Sequence, residues 1–212
     1  GLWVLSDAQT APLTDFLGSG APPVHYVRFG VDHDFFRHVA YPTRPLIVSV
    51  GGDRDRDPET LLRAMAALRR ARPDVEIVVQ SKTSIDPPDG VTVIPDLTHA
   101  ELRDLYARAS VVTIATRPNL HVSGMTVGLE ALATGRPLVI TRTPGMDDYF
   151  GGTSAVRMVD VGDAGGLARE TLALLDDPAS ASAAGDAARA HVEAGFTTAH
   201  LAGRIADVIR SR

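Results

Sequence analysis

The sequence predicts a doubly wound α/β domain built on a parallel sheet. Short runs of β-branched and other apolar residues alternate with helical patterns through the middle of the chain. The runs are apolar almost throughout, which is typical of strands buried on both faces of a parallel sheet. Because a helical pattern separates most runs from the next, right-handed crossovers are expected to join the strands. The predicted strands are Leu46 to Val50, Glu76 to Gln80, Val91 to Ile94, Val111 to Ala115 and Leu138 to Thr141.

The helices between these strands begin and end at recognisable signals. Asp57 stands as an N-cap directly before Pro58, a residue favoured at the first helical position. Thr98 and Glu101 have the spacing of a capping box. The segment Gly135-Arg136-Pro137 is typical of a helix end, since glycine follows the last helical turn and proline cannot continue it. Each signal lies between two predicted strands, as the alternating fold requires.

The two ends of the chain differ from its middle. The first forty residues hold two strand candidates, Leu2 to Leu5 and Val24 to Val27, and a weak helix around Leu13 to Leu17. A strand that opens at the second residue is expected to have a neighbour upstream. Pro42 to Pro45 has the composition of a linker, and the pattern from Asp163 onward is helical.

Composition narrows the classes of function. The 212 residues are 44% hydrophobic and 22% charged, which favours a folded core over intrinsic disorder. The net charge of −5 argues against nucleic-acid binding, and no apolar run approaches the ~20 residues of a membrane span. The lack of cysteine excludes disulfides, thiolate catalysis and cysteine-ligated metals. Because the N-terminus has no signal-peptide pattern, the expected compartment is the cytoplasm.

The first candidate site is the loop of residues 51–57, which follows the first strand of the predicted sheet. In a doubly wound sheet, ligands bind outside the carboxyl ends of the strands. Gly51 and Gly52 allow a tight turn, and Arg54 and Arg56 carry planar, permanently charged groups suited to phosphate. The alternative is a solvated loop whose arginines pair with the interleaved aspartates.

The second candidate site is the loop and helix of residues 121–131. Gly124 would let a ligand approach the free amides of a helix N-terminus, where the helix dipole favours phosphate. Glu130 stands roughly two turns into that helix, and its carboxylate is suited to accept both hydroxyls of a ribose. The alternative for Glu130 is a solvent-facing side chain, against which its apolar neighbours argue.

Other candidates are weaker. The seven histidines are scattered without the spacing of a zinc site. His121 alone is typical of a surface residue, although it stands near enough to the second loop to contact a sugar hydroxyl. Tyr149 is expected to pack in the core rather than line a pocket. Neither a G-x-G-x-x-G nor a Walker sequence occurs, which disfavours dinucleotides and nucleoside triphosphates.

Five motifs, in their order and spacing over most of the chain, resemble those of the retaining, GT-B-fold nucleotide-sugar glycosyltransferases of family 4. The most specific is Leu129 to Val139, LEALATGRPLV, which is similar to the family's LEAMA.G.PVV. The others are VRFGVD at residues 27–32, VG at 50–51 followed by LLRA at 61–64, ELRDLYARA at 101–109, and the helical segments from Val161 to Phe196.

The resemblance implies that this chain is the donor-binding half of a GT-B fold. Residues 1–40 would be the end of an N-terminal domain with the crossing segment, and residues 41–212 a Rossmann-like nucleotide-sugar-binding domain with C-terminal helices. The implied enzyme is a glycosyltransferase of hexosyltransferase type. It would transfer a sugar from a nucleoside-diphosphate sugar to an acceptor with retention. The implied partners are that donor, an acceptor, and the missing N-terminal domain or a partner chain.

The resemblance also assigns roles by position. Arg56 stands where the family's lysine neutralises the donor diphosphate, and Arg54 is expected to supply the second charge, because the family's arginine aligns with Gly52. Glu130 aligns with the glutamate that holds the ribose, whereas Val122 replaces the glutamate that contacts the sugar. No metal or other cofactor is implied. The predicted catalytic residues are Arg54 and Arg56, and the predicted donor-binding residues are Gly51, Gly52, Ser123, Gly124, Met125, Thr126 and Glu130.

Two other functions fit parts of the same pattern. A degenerate donor domain would bind a nucleotide or a partner without catalysis, which Val122 favours and the retained Glu130 disfavours. An unrelated enzyme of the same architecture, such as a GT-B epimerase or a phosphorylase, is the second alternative, because fold does not fix function. A phosphorylase needs a cofactor lysine, and Lys82 is the only lysine in the chain.

Overall fold

A computed structural model describes residues 1–211 and shows a parallel sheet covered by helices. Its strands are β1 (Leu2–Val4), β2 (Val24–Tyr26), β3 (Leu46–Val50), β4 (Glu76–Gln80), β5 (Thr92–Ile94), β6 (Val111–Ile114), β7 (Leu138–Thr141) and β8 (Val156–Val159). Its helices are α1 (Thr10–Leu17), α2 (Pro58–Ala71), α3 (His99–Arg108), α4 (Met125–Ala133), α5 (Met146–Phe150), α6 (Ala164–Leu175), α7 (Pro178–Gly195) and α8 (Thr198–Arg210).

The main sheet has six parallel strands in the order β5-β4-β3-β6-β7-β8. Numbered from β3, this is the 3-2-1-4-5-6 order of dinucleotide-binding folds. Val48 of β3 lies opposite Val78 of β4 and Val112 of β6, which sets the register at the centre of the sheet. The doubly wound fold is confirmed, and the five predicted strands agree with the structure to within one residue at each end.

The sequence analysis did not predict β8. This strand pairs only with β7 and is therefore an edge strand of the main sheet. Three of its four residues are only partly buried, and Arg157 pairs with Glu170 of α6 at 3.2 Å. A charged residue on a half-exposed edge interrupts the apolar run that identified the buried strands.

The predicted helix signals are confirmed by their hydrogen bonds. The Asp57 carboxylate accepts from the Thr60 amide at 3.0 Å, and Thr98 and Glu101 form the reciprocal bonds of a capping box. Three helices follow residue 163, as the helical pattern at the C-terminal end indicated.

Helices cover both faces of the main sheet. On one face, α2 and α6 pack over Ile47 and the other strand residues that point the same way. On the opposite face, α3, α4 and α7 contribute to a second cluster that contains Val48, Leu129 and Tyr106. Since successive strand residues point to opposite faces, Ile47 and Val48 enter separate clusters. The sheet is therefore rigid, and its strand ends are well suited to hold functional loops.

Strands β1 and β2 form a separate, two-stranded parallel sheet, with Leu2 opposite Val24. Tyr149 of α5 is fully buried, as expected for a core residue. Its hydroxyl donates to the Leu5 carbonyl at 2.6 Å and accepts from the Phe29 amide at 2.9 Å. A single phenol thus joins the ends of both short strands to the main domain.

Two arginines, not singled out in the sequence, hold the segment that leads from β2 to β3. Arg136 is fully buried, and burial lowers its pKa to about 10, so it remains charged at neutral pH. Its guanidinium donates to the carbonyls of Val39, Ala40, Tyr106 and Ala107. Arg189 of α7 donates to the carbonyls of His33, Phe36 and Ala133. Each cation offsets its desolvation with several carbonyl oxygens.

Candidate functional site

The strand order places both candidate loops at one crevice. β3 and β6 are adjacent at the centre of the sheet, and the strands that follow them along the chain lie on opposite sides. This is the topological switch point at which doubly wound sheets bind ligands. Two backbone hydrogen bonds join the loops after β3 and β6 there. The Asp57 amide donates to the Ala115 carbonyl at 3.0 Å, and the Arg117 amide donates to the Asp55 carbonyl at 2.8 Å.

Arg56 lies between two glycines, one from each loop. A Cβ atom at Gly51 would overlap the Arg56 guanidinium, and one at Gly124 would lie 2.5 Å from Arg56 Nη1. Both glycines also have positive φ angles, +147° and +96°, that side chains rarely adopt. The two glycines therefore create the slot that the guanidinium occupies. Sequence reasoning assigned Gly51 to a tight turn and Gly124 to ligand approach, whereas the structure shows that both also accommodate Arg56.

The Arg56 guanidinium has unused hydrogen-bond donors. Its side chain is only 13% exposed, and Nε and Nη1 are buried without a hydrogen-bond partner among residues 1–211. The nearest carboxylate oxygen, Asp53 Oδ2, is 4.0 Å from Nε. Burial lowers the pKa of Arg56, but an arginine stays protonated in proteins. A buried cation with free donors is costly, and a bound anion would remove that cost.

Asp53 connects the two loops. Its Oδ2 accepts from Ser123 Oγ at 2.5 Å, and its Oδ1 accepts from the Asp55 amide at 2.7 Å. Burial alone would raise the pKa of Asp53, but these hydrogen bonds, together with Arg56 and His121, hold it below its ordinary value. Sequence reasoning treated Asp53 and Asp55 only as partners for the arginines of this loop. The structure instead shows one of them reaching the second candidate site.

Arg54 differs from Arg56 in its environment. Its side chain is 90% exposed and lies 3.4 Å from Asp55, which is the pairing that the solvated-loop interpretation predicted. Arg54 nevertheless lines a cavity of about 220 Å3 together with Gly51, Gly52 and Arg56. Other lining residues are Asp53, Pro58, Ser81, Lys82, Thr83 and Arg117. The cavity wall thus carries four cations and one carboxylate.

Lys82 belongs to this cavity wall rather than to a buried pocket. Its side chain is 65% exposed, and Nζ lies 2.8 Å from Asp96. A lysine that forms a covalent cofactor link is usually desolvated so that its pKa falls. The exposed, paired ammonium of Lys82 is not desolvated.

The N-terminus of α4 is prepared by backbone geometry. Gly124 is its N-cap residue, and no side chain caps this end within the described part of the chain. The Met125 amide donates to the Val122 carbonyl, and the Ser123 amide donates to Asn119 Oδ1. Met125 is buried, whereas Thr126 is exposed in the first turn. Val122 is buried with φ +52°, an unfavourable value for a β-branched residue.

Glu130 is buried, so the solvent-facing alternative is wrong. It is 9% exposed, and its Oε2 accepts from the Tyr106 hydroxyl of α3 at 3.2 Å. Burial raises the pKa of Glu130 to about 7, although the hydrogen bond from Tyr106 acts in the opposite direction. Tyr106 is thus hydrogen-bonded to Glu130 and is also within electrostatic reach of Arg56.

Gln80, at the end of β4, is a further residue that sequence reasoning missed. Its side-chain oxygen accepts from the Gly51 amide at 3.1 Å, and its side-chain nitrogen donates to the Pro95 carbonyl at 2.7 Å. The Gly51 amide is thus already engaged within the protein. A polar residue at the end of a buried strand was the available signal.

Asp53, Asp55 and His121 form a cluster whose potential metal-ligating atoms lie within 4.8 Å of one another. His121 Nδ1 lies 3.5 Å from Asp55, and His121 is 40% exposed, as expected for a surface residue beside the loop. Arg54 and Arg56 lie near the same two carboxylates.

No described helix is long and apolar enough to cross a membrane.

Known proteins resemble this chain in sequence and in structure. It is 29% identical to D-inositol 3-phosphate glycosyltransferase 1 of Catenulispora acidiphila, over 98% of the chain and 56% of that protein. It is 28% identical to a GDP-mannose-dependent monoacylated α-(1-6)-phosphatidylinositol monomannoside mannosyltransferase of Corynebacterium glutamicum, over 72% of the chain and 43% of that protein. The chain thus spans about half the length of these curated relatives.

Solved structures resemble this chain more closely in fold than in sequence. The HepE protein of Anabaena, in complex with UDP and glucose, superposes with a TM-score of 0.78 at 15% identity, over 99% of this chain and 62% of that protein. This likeness supports the assignment of the described domain to a Rossmann-like half of a GT-B fold. The model of the family described as Glycosyl transferases group 1 matches residues 44–177. Because that match covers more than half of the sequence, the chain belongs to the group 1 glycosyl transferases.

Proposed function

We propose that this chain is the donor-binding half of a retaining glycosyltransferase that uses a nucleoside-diphosphate sugar. The observation that carries the proposal is Arg56, a buried guanidinium with two unpartnered nitrogens at the switch point of the sheet. A diphosphate supplies the acceptor oxygens and the negative charge that these hydrogen-bond donors need. UDP and glucose are the ligands named for the HepE structure, and GDP-mannose is the donor named for the C. glutamicum relative.

The proposed chemistry is electrostatic. As the glycosidic bond breaks, negative charge develops on the leaving diphosphate, and Arg56 is already in place to stabilise it. Arg54 lies on the cavity wall and adds a second cation, while the N-terminus of α4 presents its dipole near Gly124. We assign the neutralisation of the diphosphate to these groups, with no metal required.

Glu130 is proposed to hold the ribose. Among the described residues, the Glu130 carboxylate accepts one hydrogen bond, from the Tyr106 hydroxyl. It can therefore accept hydrogen bonds from two further hydroxyls. Those hydroxyls would favour the ionised form, and the pKa of Glu130 would then fall from about 7 when the nucleotide binds.

The acceptor site is proposed to require a further domain. The chain spans 56% of the C. acidiphila relative, and its two-stranded sheet is smaller than a sheet that is stable alone. Trp3 of β1 is 56% exposed and Phe16 of α1 is 86% exposed, so this part of the chain presents apolar side chains to solvent. Such a surface is suited to pack against an N-terminal domain or a partner chain.

Substitution of Arg56 tests the donor site. We expect Arg56→Met to keep or raise the melting temperature of the free protein, because it replaces a buried cation that has unsatisfied hydrogen-bond donors and only a distant carboxylate by an apolar chain of similar length. The same variant should lose stabilisation by nucleoside diphosphates, which for the wild type is about 2.7 kcal/mol at 100 times the dissociation constant. The measurement is a thermal-shift series with UDP, GDP, ADP and TDP.

Arg70→Met is the matched control, because Arg70 is an exposed arginine in the last turn of α2. It should leave the nucleotide-dependent shift intact. A wild-type-sized shift in the Arg56→Met protein would contradict the proposed donor site.

Transfer to an acceptor distinguishes the second candidate function, a donor domain that binds without catalysis. Val122 favours that candidate, because its buried apolar side chain presents no polar group where the resembling family has a glutamate. Nucleotide binding without transfer by the complete natural protein would support it.

A further inference from the structure

Asp53 has hydrogen-bonding capacity that the protein does not use. An ionised carboxylate has about four acceptor positions. Asp53 receives two hydrogen bonds, from Ser123 Oγ and from the Asp55 amide, while Arg56 at 4.0 Å is too far for a third. Its side chain is 41% exposed and lines the 220 Å3 cavity. Acceptor positions therefore remain open toward the cavity.

The surroundings of Asp53 define what can bind there. It is the carboxylate in a cavity wall whose other charged residues are Arg54, Arg56, Lys82 and Arg117. An anion attracted by these cations is repelled by Asp53 at short range, whereas a hydroxyl group can donate to it. A ligand that satisfies both neighbours has an anionic part for Arg56 and an adjacent hydroxyl-bearing part for Asp53, because the two side chains lie 4.0 Å apart.

We infer that Asp53 is a specificity-determining residue that accepts hydrogen bonds from hydroxyls of the transferred sugar. This inference rests on the proposed function, in which the phosphate next to that sugar binds Arg56. Ser123 orients the carboxylate through the 2.5 Å hydrogen bond between the two loops. His121 Nε2, from the second loop, lies 3.9 Å from Asp53 Oδ1.

The ionisation of Asp53 is consistent with this role. Its pKa lies below its ordinary value despite partial burial, since Ser123, the Asp55 amide, Arg56 and His121 all favour the charged form. Asp53 is therefore an acceptor at neutral pH. Glu130, with a pKa near 7, is reserved for the ribose at the other end of the diphosphate.

The test compares nucleotides with and without the sugar. Dissociation constants of UDP, UDP-glucose, GDP and GDP-mannose are measured by calorimetry for the wild type, Asp53→Asn and Asp55→Asn, each in the complete natural protein. Asparagine retains the shape of Asp53 and can still bond to Ser123 and the Asp55 amide. For the base that binds, Asp53→Asn should weaken the sugar nucleotide roughly tenfold or more relative to the nucleoside diphosphate, as for loss of a hydrogen bond to a charged group.

Asp55→Asn removes the same charge from the same loop, and it should leave that ratio unchanged. A sugar nucleotide that lacks the contacted hydroxyl should bind equally to the wild type and to Asp53→Asn. An unchanged ratio in Asp53→Asn, or equal weakening of both ligands, would overturn the inference, because Asp53 would then only hold the loops together. If no nucleotide binds the wild type, the proposed function itself fails, and this inference fails with it.

Discussion

The residues that define the candidate site are those that are least favourable for stability. Arg56 keeps buried donors without partners, Glu130 is a carboxyl group in an apolar helix, and Val122 adopts a strained left-handed backbone. Such departures from favourable local structure concentrate where a protein binds or reacts. Arg136 differs in degree, because its Nε and Nη2 donate to four carbonyls and only its Nη1 is buried without a partner among residues 1–211, which indicates a structural role.

The raised pKa of Glu130 predicts a pH-dependent stability. The unfolded chain releases this proton near pH 4.5, whereas the folded protein retains it until about pH 7. Between these values the folded state binds more protons, so the free energy of unfolding falls as pH rises, by about 3 kcal/mol at most. Urea unfolding of the wild type and Glu130→Gln from pH 4.5 to 7.5 measures this.

The variant serves as the reference because glutamine keeps the Tyr106 hydrogen bond but does not titrate. The wild type should lose stability relative to Glu130→Gln as pH rises through this range, with a slope that decreases as the pH passes about 7. A difference that stays constant with pH would show that Glu130 has an ordinary pKa and is not desolvated.

At the scale of elements, the sequence predicted most of what local patterns determine. Capping signals at Asp57 and Thr98 located α2 and α3, and apolar runs located five strands of the main sheet, whereas the edge strand β8 lacks such a run. The loop of residues 51–57 and helix α4 were singled out in the sequence, and the structure places them side by side. Their mutual arrangement depends on long-range contacts such as Asp53 to Ser123 and Tyr106 to Glu130, which leave no periodic pattern in the sequence.

The start of α4 offers a test of that arrangement. Gly124→Ala forces a side chain into a left-handed backbone and places its Cβ 2.5 Å from Arg56 Nη1 and 3.1 Å from Ile114 Cγ2. We expect a loss of at least about 1–2 kcal/mol in unfolding free energy, together with loss of nucleotide binding because Arg56 must move. Urea unfolding and calorimetry with the nucleotide that stabilises the wild type measure both effects.

Gly203→Ala is the matched control for this substitution. Gly203 lies within α8, and a Cβ atom at this position would meet open space. Alanine there should raise stability by about 0.5–1 kcal/mol through helix propensity, with nucleotide affinity unchanged. Equal effects at the two positions would show that the slot around Arg56 is not tight.

For the whole molecule, the strand order determines where function is located. The order β5-β4-β3-β6-β7-β8 brings the loop after β3 beside the loop after β6, although about 60 residues separate them along the chain. The same domain does not complete the small sheet of β1 and β2, where Trp3 and Phe16 remain exposed. Donor binding and acceptor binding are thus expected to belong to different parts of the complete protein.

This division predicts that the 212-residue chain binds a nucleoside diphosphate but transfers no sugar by itself. The described domain holds Arg56, Glu130 and the α4 N-terminus, which are the proposed donor contacts. The chain spans 56% of the C. acidiphila relative, and we expect the acceptor contacts to lie outside the described residues. Radiolabelled UDP-glucose and GDP-mannose, incubated with the purified chain and a panel of polyol acceptors, provide the measurement. Efficient transfer by the chain alone would show that the acceptor site lies within these residues.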